Sequence, residues 1–307
     1  MGSWLARALA KAGREVGLVE PDRERLSAAA ASLPPGSSGS IRALGGLSGQ
    51  DGLEGFEPGL CVNCVPLGAT EAAFDEALCF LSPSCMLADL ASVKGGLAAY
   101  YAELGRPFVS THPMFGPTHA DENDLSGQNA VLIAESCAEG KALFASLYES
   151  LGVRVYEESF EEHDATVAYS LATPFASTLV FAACMKELDA PGTTFRKHLE
   201  IARSLLSEDD SLVAEILFNP RTVRQLELIN SRLSYLSHII KDRDREEMGK
   251  FLAGLRSNIG MAPGTGAAGT GDASADVSAE RRQVAPEAGV TLGDALGAIH
   301  GDGSQGA

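Results

Sequence analysis

The chain has 307 residues, 45% of them hydrophobic and 21% charged, a globular composition with room for two domains and a tail. Its 24 Lys+Arg against 41 Asp+Glu give a net charge of -17, which removes any general electrostatic reason to bind nucleic acid or an anionic membrane surface. No apolar run is expected to approach the ~20 residues of a membrane span. No secretory leader pattern opens the chain, and six cysteines in this length do not make a disulfide framework, so a reducing cytoplasm is expected.

Residues 1–157 alternate short apolar runs with helical stretches. Ser3–Ala12 reads as a helix, Glu15–Glu20 as a strand, and Asp22–Leu33 as a helix stopped by Pro34-Pro35-Gly36. Further strands are expected at Ser40–Leu44, Leu60–Val65, Cys85–Leu90, Phe108–Thr111, Ala130–Ala134 and Val153–Tyr156. Helices fall between many of them, at Glu71–Leu78, Leu97–Leu104 and Ala138–Leu151. Such alternation indicates an α/β domain with a doubly wound, mostly parallel sheet of the Rossmann type.

Residues 158–260 change character: strand runs stop, and an all-α domain is expected. Glu161–Glu187 reads as one long helical segment with an interruption at Pro174. Thr194–Leu206, Ser211–Phe218, Arg221–Asp242 and Arg245–Ser257 follow. Leu226, Ile229, Leu233, Leu236 and Ile240 make one apolar stripe at helical spacing, the expected seam of a homodimer. Residues 261–307 hold ten glycines, eleven alanines and no aromatic, so they read as a disordered tail with a short helix at Thr291–Ile299.

A dinucleotide fold runs strand, Gly-x-Gly-x-x-Gly, helix, strand, and then an acid for the ribose 2′-OH. Gly2 fits the third glycine, and Glu20, 18 residues on, fits the acid that favours NAD over NADP. The first strand and first two glycines of that fingerprint are not in the sequence, so the domain is expected to lack its first strand. A literal match at Gly264–Gly269 lies in the low-complexity tail, with no strand before it, and is a chance occurrence.

Ligands of open α/β sheets bind at the carboxyl ends of strands. Asp89-Leu90-Ala91-Ser92-Val93-Lys94-Gly95-Gly96 and Thr111-His112-Pro113-Met114-Phe115-Gly116-Pro117 both leave strands, so Ser92, Lys94 and His112 are candidates for one cleft. Cys61 and Cys64, three apart on a strand, face opposite sides and cannot share a metal. His119 with Asp121 is too small a set, and no metal site is expected.

These two segments, with Gly127-Gln128-Asn129 and Glu162-His163-Asp164, occur in the order seen in prephenate dehydrogenases, and the sequence resembles that family from residue 1 to about residue 260. The resemblance implies NAD-dependent oxidative decarboxylation of prephenate to 4-hydroxyphenylpyruvate, in tyrosine biosynthesis, by a homodimer. It implies His112 as the catalytic base or acceptor at the C4 hydroxyl and Ser92 as the residue holding hydroxyl, imidazole and nicotinamide in register. Gly2, Glu20, Pro66 and Ser92 are the implied cofactor contacts. For the substrate carboxylates the family uses an arginine whose column falls on Ser204, one residue past Arg203; Arg203 is therefore the candidate, with Arg196 and Lys94 in reserve. Where many relatives carry a Gln and a His after the Glu-His-Asp motif, this chain has Leu171 and Phe175. His163 is expected to join the domains. The alternatives are arogenate as the substrate, or a non-catalytic interaction or regulatory subunit.

Overall fold

A computed structural model describes residues 1–116, 124–186 and 188–261. The expected tail helix, the Gly264–Gly269 match, His119 and Asp121 lie outside the described residues.

The first half is α/β: α1 (Gly2–Lys11), β1 (Glu15–Leu18), α2 (Arg23–Ala30), β2 (Ser40–Ala43), α3 (Leu53–Phe56), β3 (Leu60–Asn63), α4 (Leu67–Leu78), β4 (Met86–Asp89), α5 (Leu97–Leu104), β5 (Phe108–Pro113), β6 (Asn129–Ile133), α6 (Ala138–Ser150) and β7 (Arg154–Glu158). Side chains alternate across each strand, so the sheet feeds two cores. Met86 and Ala88 of β4 join Trp4, Leu5 and Leu9 of α1 and Leu143 and Phe144 of α6. Leu87 points the other way, to Phe74 of α4 and Leu97 and Tyr101 of α5. Each large side chain so buried contributes on the order of 1.5–3 kcal/mol. The single-turn helix α3 has no counterpart in the sequence reading, since four residues carry no periodicity.

The strands form two sheets rather than one. β1 and β2 pair in parallel, and β3-β4-β5-β6-β7 make the second sheet, parallel except at β5–β6. Between β1 and β3 lies a cavity of about 1550 Å³, lined by α1 (Gly2, Leu5), β1 (Val16, Leu18) and β3 (Leu60, Val62). The domain is thus wound as expected, with its sheet open where the fingerprint strand was not found.

From Phe160 the chain is helical: α7 (Phe160–Val167), a π-helical turn (Ala168–Ala172), α8 (Thr173–Cys184), α9 (Thr193–Leu205), α10 (Asp210–Leu217), α11 (Thr222–Asp242) and α12 (Arg245–Asn258). The expected break at Pro174 is corrected: the helix runs through, and the irregularity is the π turn just before it. There the Thr173 N–H and hydroxyl both reach Ala168 O, and the widened turn precedes a proline that has no N–H to donate. A second correction concerns apolar length. Phe160–Cys184 is a 25-residue helix containing an 18-residue window of mean hydropathy 1.5, long and apolar enough to cross a membrane by length and composition. Its interspersed Ser, Thr and His hide this from a search for unbroken apolar runs. α8 packs on α9, α10 and α11.

Candidate active site

The site is built where β4 and β5 end side by side, in parallel register Asp89↔Ser110. Asp89, 1% exposed, organises the turn that follows β4. Its Oδ1 accepts from Ala91 N at 3.1 Å and from Lys94 Nζ at 2.8 Å, and its Oδ2 from Tyr101 Oη at 2.9 Å. Lys94 Nζ also donates to Thr111 O at 2.8 Å, joining the turn to β5. Ser92 sits on this turn, half-buried, and His112 lies next along β5 after Thr111.

Helix α7 brings in the second imidazole. A capping box, with Ser159 Oγ accepting from Glu162 N and Glu162 accepting from Ser159 N, starts the helix. Phe160 then docks against Phe108 and Tyr101, with ring centroids 6.1 and 6.5 Å away. Those two anchors leave His163 pointing inward, fully buried, with its Nε2 2.9 Å from His112 Nδ1. On its other side His163 Nδ1 is 3.2 Å from Asp164 Oδ1. Asp164 accepts in turn from the backbone of the β4 turn, Lys94 N at 2.8 Å and Gly95 N at 3.0 Å. Asn219 Nδ2 donates to Asp164 O at 2.9 Å, so the start of α11 is tied to the same point.

The electrostatics follow from burial. Removal from water pushes the His112 pKa well below its ordinary 6.5, helped by the neighbouring His163 and Lys94. His163 is lowered too, again chiefly by burial, with Asp164 opposing. Burial tends to raise Asp164, but its hydrogen bonds from His163, Lys94 and Gly95 prevail and hold it below the usual carboxylate range. Both imidazoles are therefore neutral near pH 7.

The sequence candidates separate into groups. Ser92 and His112 are brought to neighbouring strand exits. Gly2 and Glu20 line the cavity between the sheets, Glu20 accepting from Asp22 N at 3.1 Å. A Cβ on Gly2 would stand 3.1 Å from Cys64 Cβ, so the start of α1 nests against the exit of β3, and Pro66 caps α4 just beyond. Lys94 is corrected: its ammonium is 0% exposed and committed to Asp89 and Thr111, so it does not meet a substrate carboxylate. Arg196 and Arg203 lie at opposite ends of α9, both exposed, and neither bonds to a residue of the His112 cluster. His163 is more than a domain joint: it is the direct partner of His112. The sequence signal was its place beside Asp164, a carboxylate able to orient an imidazole. Cys61 is a free thiol whose pKa is pushed up to about 12 by burial.

Residues 5–157 match the family described as prephenate dehydrogenase, nucleotide-binding domain. A curated relative from Methanocaldococcus jannaschii, "Probable arogenate/prephenate dehydrogenase", is 24% identical over 87% of this chain, which spans 60% of that protein's length. The fold is similar to Aquifex aeolicus prephenate dehydrogenase, solved with hydroxyphenyl propionate and NAD+, at a TM-score of 0.70 and 21% identity over 84% of this chain and 93% of that one. It is also similar to Synechocystis arogenate dehydrogenase, at a TM-score of 0.64 and 22% identity over 84% and 95%. Through residues 5–157 the chain carries the nucleotide-binding domain of the prephenate dehydrogenase family, and its fold is similar to that of the two solved dehydrogenases.

Proposed function

We propose that the chain is an NAD-dependent prephenate dehydrogenase, forming 4-hydroxyphenylpyruvate, carbon dioxide and NADH in tyrosine biosynthesis. The observation that carries this reading is the neutral, buried His112 held at the end of β5 beside the Ser92 turn. The residues present fit the cofactor at two points. The N-terminus of α1 carries no side-chain cap and no acid in its first turn, which suits a pyrophosphate, and Glu20 at the end of the next strand suits a ribose diol.

Bound NAD+ supplies the hydride acceptor. The chain supplies a base: as hydride leaves C4, the hydroxyl on that carbon must lose its proton, and neutral His112 takes it. Ser92, on the neighbouring turn, is the residue proposed to hydrogen-bond the same oxygen. Loss of CO₂ returns its electron pair to the ring, and the phenolate oxygen then recovers the proton from His112, so none is consumed overall. Because aromatisation drives the decarboxylation, no metal is required of the chain. Lys94 being committed elsewhere, Arg203 and Arg196 are the cations proposed for the carboxylates; among the described residues neither has an acidic partner.

The test is absorbance of NADH with prephenate and with arogenate, each offered with NAD+. Turnover of prephenate in preference to arogenate is expected, and turnover of neither would sink the proposal. His112→Asn should lower kcat by about 10²- to 10⁴-fold while NAD+ binding, read by calorimetry, is retained.

A homodimer through the helical segment is proposed with it. Along α11, Leu233 and Ile240 are 55% and 59% exposed in the single chain, and Phe218 before it is 82% exposed. Apolar surface of that extent on packed helices suits a second copy.

A further inference from the structure

We infer that His163 and Asp164 act as a relay that fixes the tautomer of His112, making His163 a positioning residue for the base. The inference rests on the proposed function only for its consequence; its geometry stands independently. An ionised carboxylate accepts and cannot donate. Asp164 therefore requires the proton of His163 on Nδ1, 3.2 Å away. That leaves a lone pair on His163 Nε2, which in turn requires the proton of His112 on Nδ1, at 2.9 Å. His112 is thereby left with its Nε2 bare, and among the described residues no hydrogen-bonded group occupies that atom. An isolated neutral imidazole divides its proton between the two nitrogens; this one is committed to the form in which Nε2 can only accept.

The ring planes, 75° apart with centroids 5.1 Å apart, meet edge to face, so the contact is a directed hydrogen bond rather than a stack. Burial strengthens it, since His163 is 0% and His112 4% exposed and no bulk water competes. The same Asp164 carboxylate holds Lys94 N and Gly95 N. One residue of α7 thus sets both the proton position on His112 and the backbone of the turn carrying Ser92. When His112 accepts the C4 hydroxyl proton on Nε2, its Nδ1–H stays in place, and the cation formed is faced by a neutral ring backed by a carboxylate.

The experiment is NMR of the full chain with ¹⁵N-labelled histidine, His112 being assigned by loss of its signals in His112→Gln. The wild-type protein is expected to show His112 protonated on Nδ1 and bare on Nε2. His163→Phe should transfer part of that population to the Nε2–H form and lower kcat by at least about 10-fold, whereas His163→Gln, with an amide oxygen able to accept from Nδ1, should keep the tautomer and most of kcat. A wild-type His112 protonated on Nε2, or a folded His163→Phe with an unmoved tautomer, would overturn the relay. The wild-type spectrum decides even where a variant fails to fold. Since it needs no substrate, a correct tautomer without turnover would count against the proposed reaction alone, and turnover with the wrong tautomer against the relay alone.

Discussion

At the scale of single residues, Lys94 shows how one side chain can hold a site without touching its ligand. Its ammonium neutralises Asp89 and binds Thr111 O in a region closed to water. Lys94→Met would leave Asp89 buried and uncompensated, and a loss of about 3–5 kcal/mol is expected, read as a shift in the urea unfolding midpoint. The two imidazoles set a pH dependence. Their folded pKa values are depressed, so below about 6.5 the unfolded chain binds more protons than the folded one and stability rises with pH there. The thermal unfolding midpoint should therefore fall from pH 7 to pH 5, while Asp164, held below the usual carboxylate range, keeps its charge, and His112→Gln should flatten that slope. Ser92 and His112 were legible because each sits in a local motif at a strand exit. The charge of Lys94 was visible and its burial was not, because Asp89 and Thr111 reach it only once β4 and β5 lie side by side. The partner of His163 is 51 residues away, beyond any local pattern.

At the scale of elements, periodicity located nearly every helix and strand, because α1, α5 and α6 each bury a face and β4 to β6 are buried nearly throughout. The exceptions have local causes: α3 is one turn, and the π turn is set by the pairing of Thr173 with Ala168. Close approach between elements is a further feature with no sequence periodicity. At Gly140 an added Cβ would stand 2.6 Å from Val109 Cβ and 2.9 Å from Met86 Sδ, so α6 lies against β4 and β5 with no space for a methyl group. Gly140→Ala should cost about 1–3 kcal/mol by chemical denaturation, outweighing its gain in helix propensity.

At the scale of the whole molecule, the α/β half followed by a helical half was readable from the change in pattern near residue 158. The open sheet was foreseen only as a missing strand; that the β1–β2 pair would stand apart across a cavity is a three-dimensional outcome. The stripe on α11 was recognised from spacing, yet the single chain leaves Leu226, Leu233 and Ile240 uncovered. Light scattering at micromolar concentration should give twice the chain mass, and Leu233→Glu with Ile240→Glu should return it to the monomer value; a wild-type monomer would remove the dimer. The gap between β1 and β3 has a consequence for how the two sheets hold together. Among the described residues no strand joins the two edges, so β1 meets the larger sheet through side chains, Val16 of β1 and Leu60 and Val62 of β3 packing against the core that α1 shares with α6.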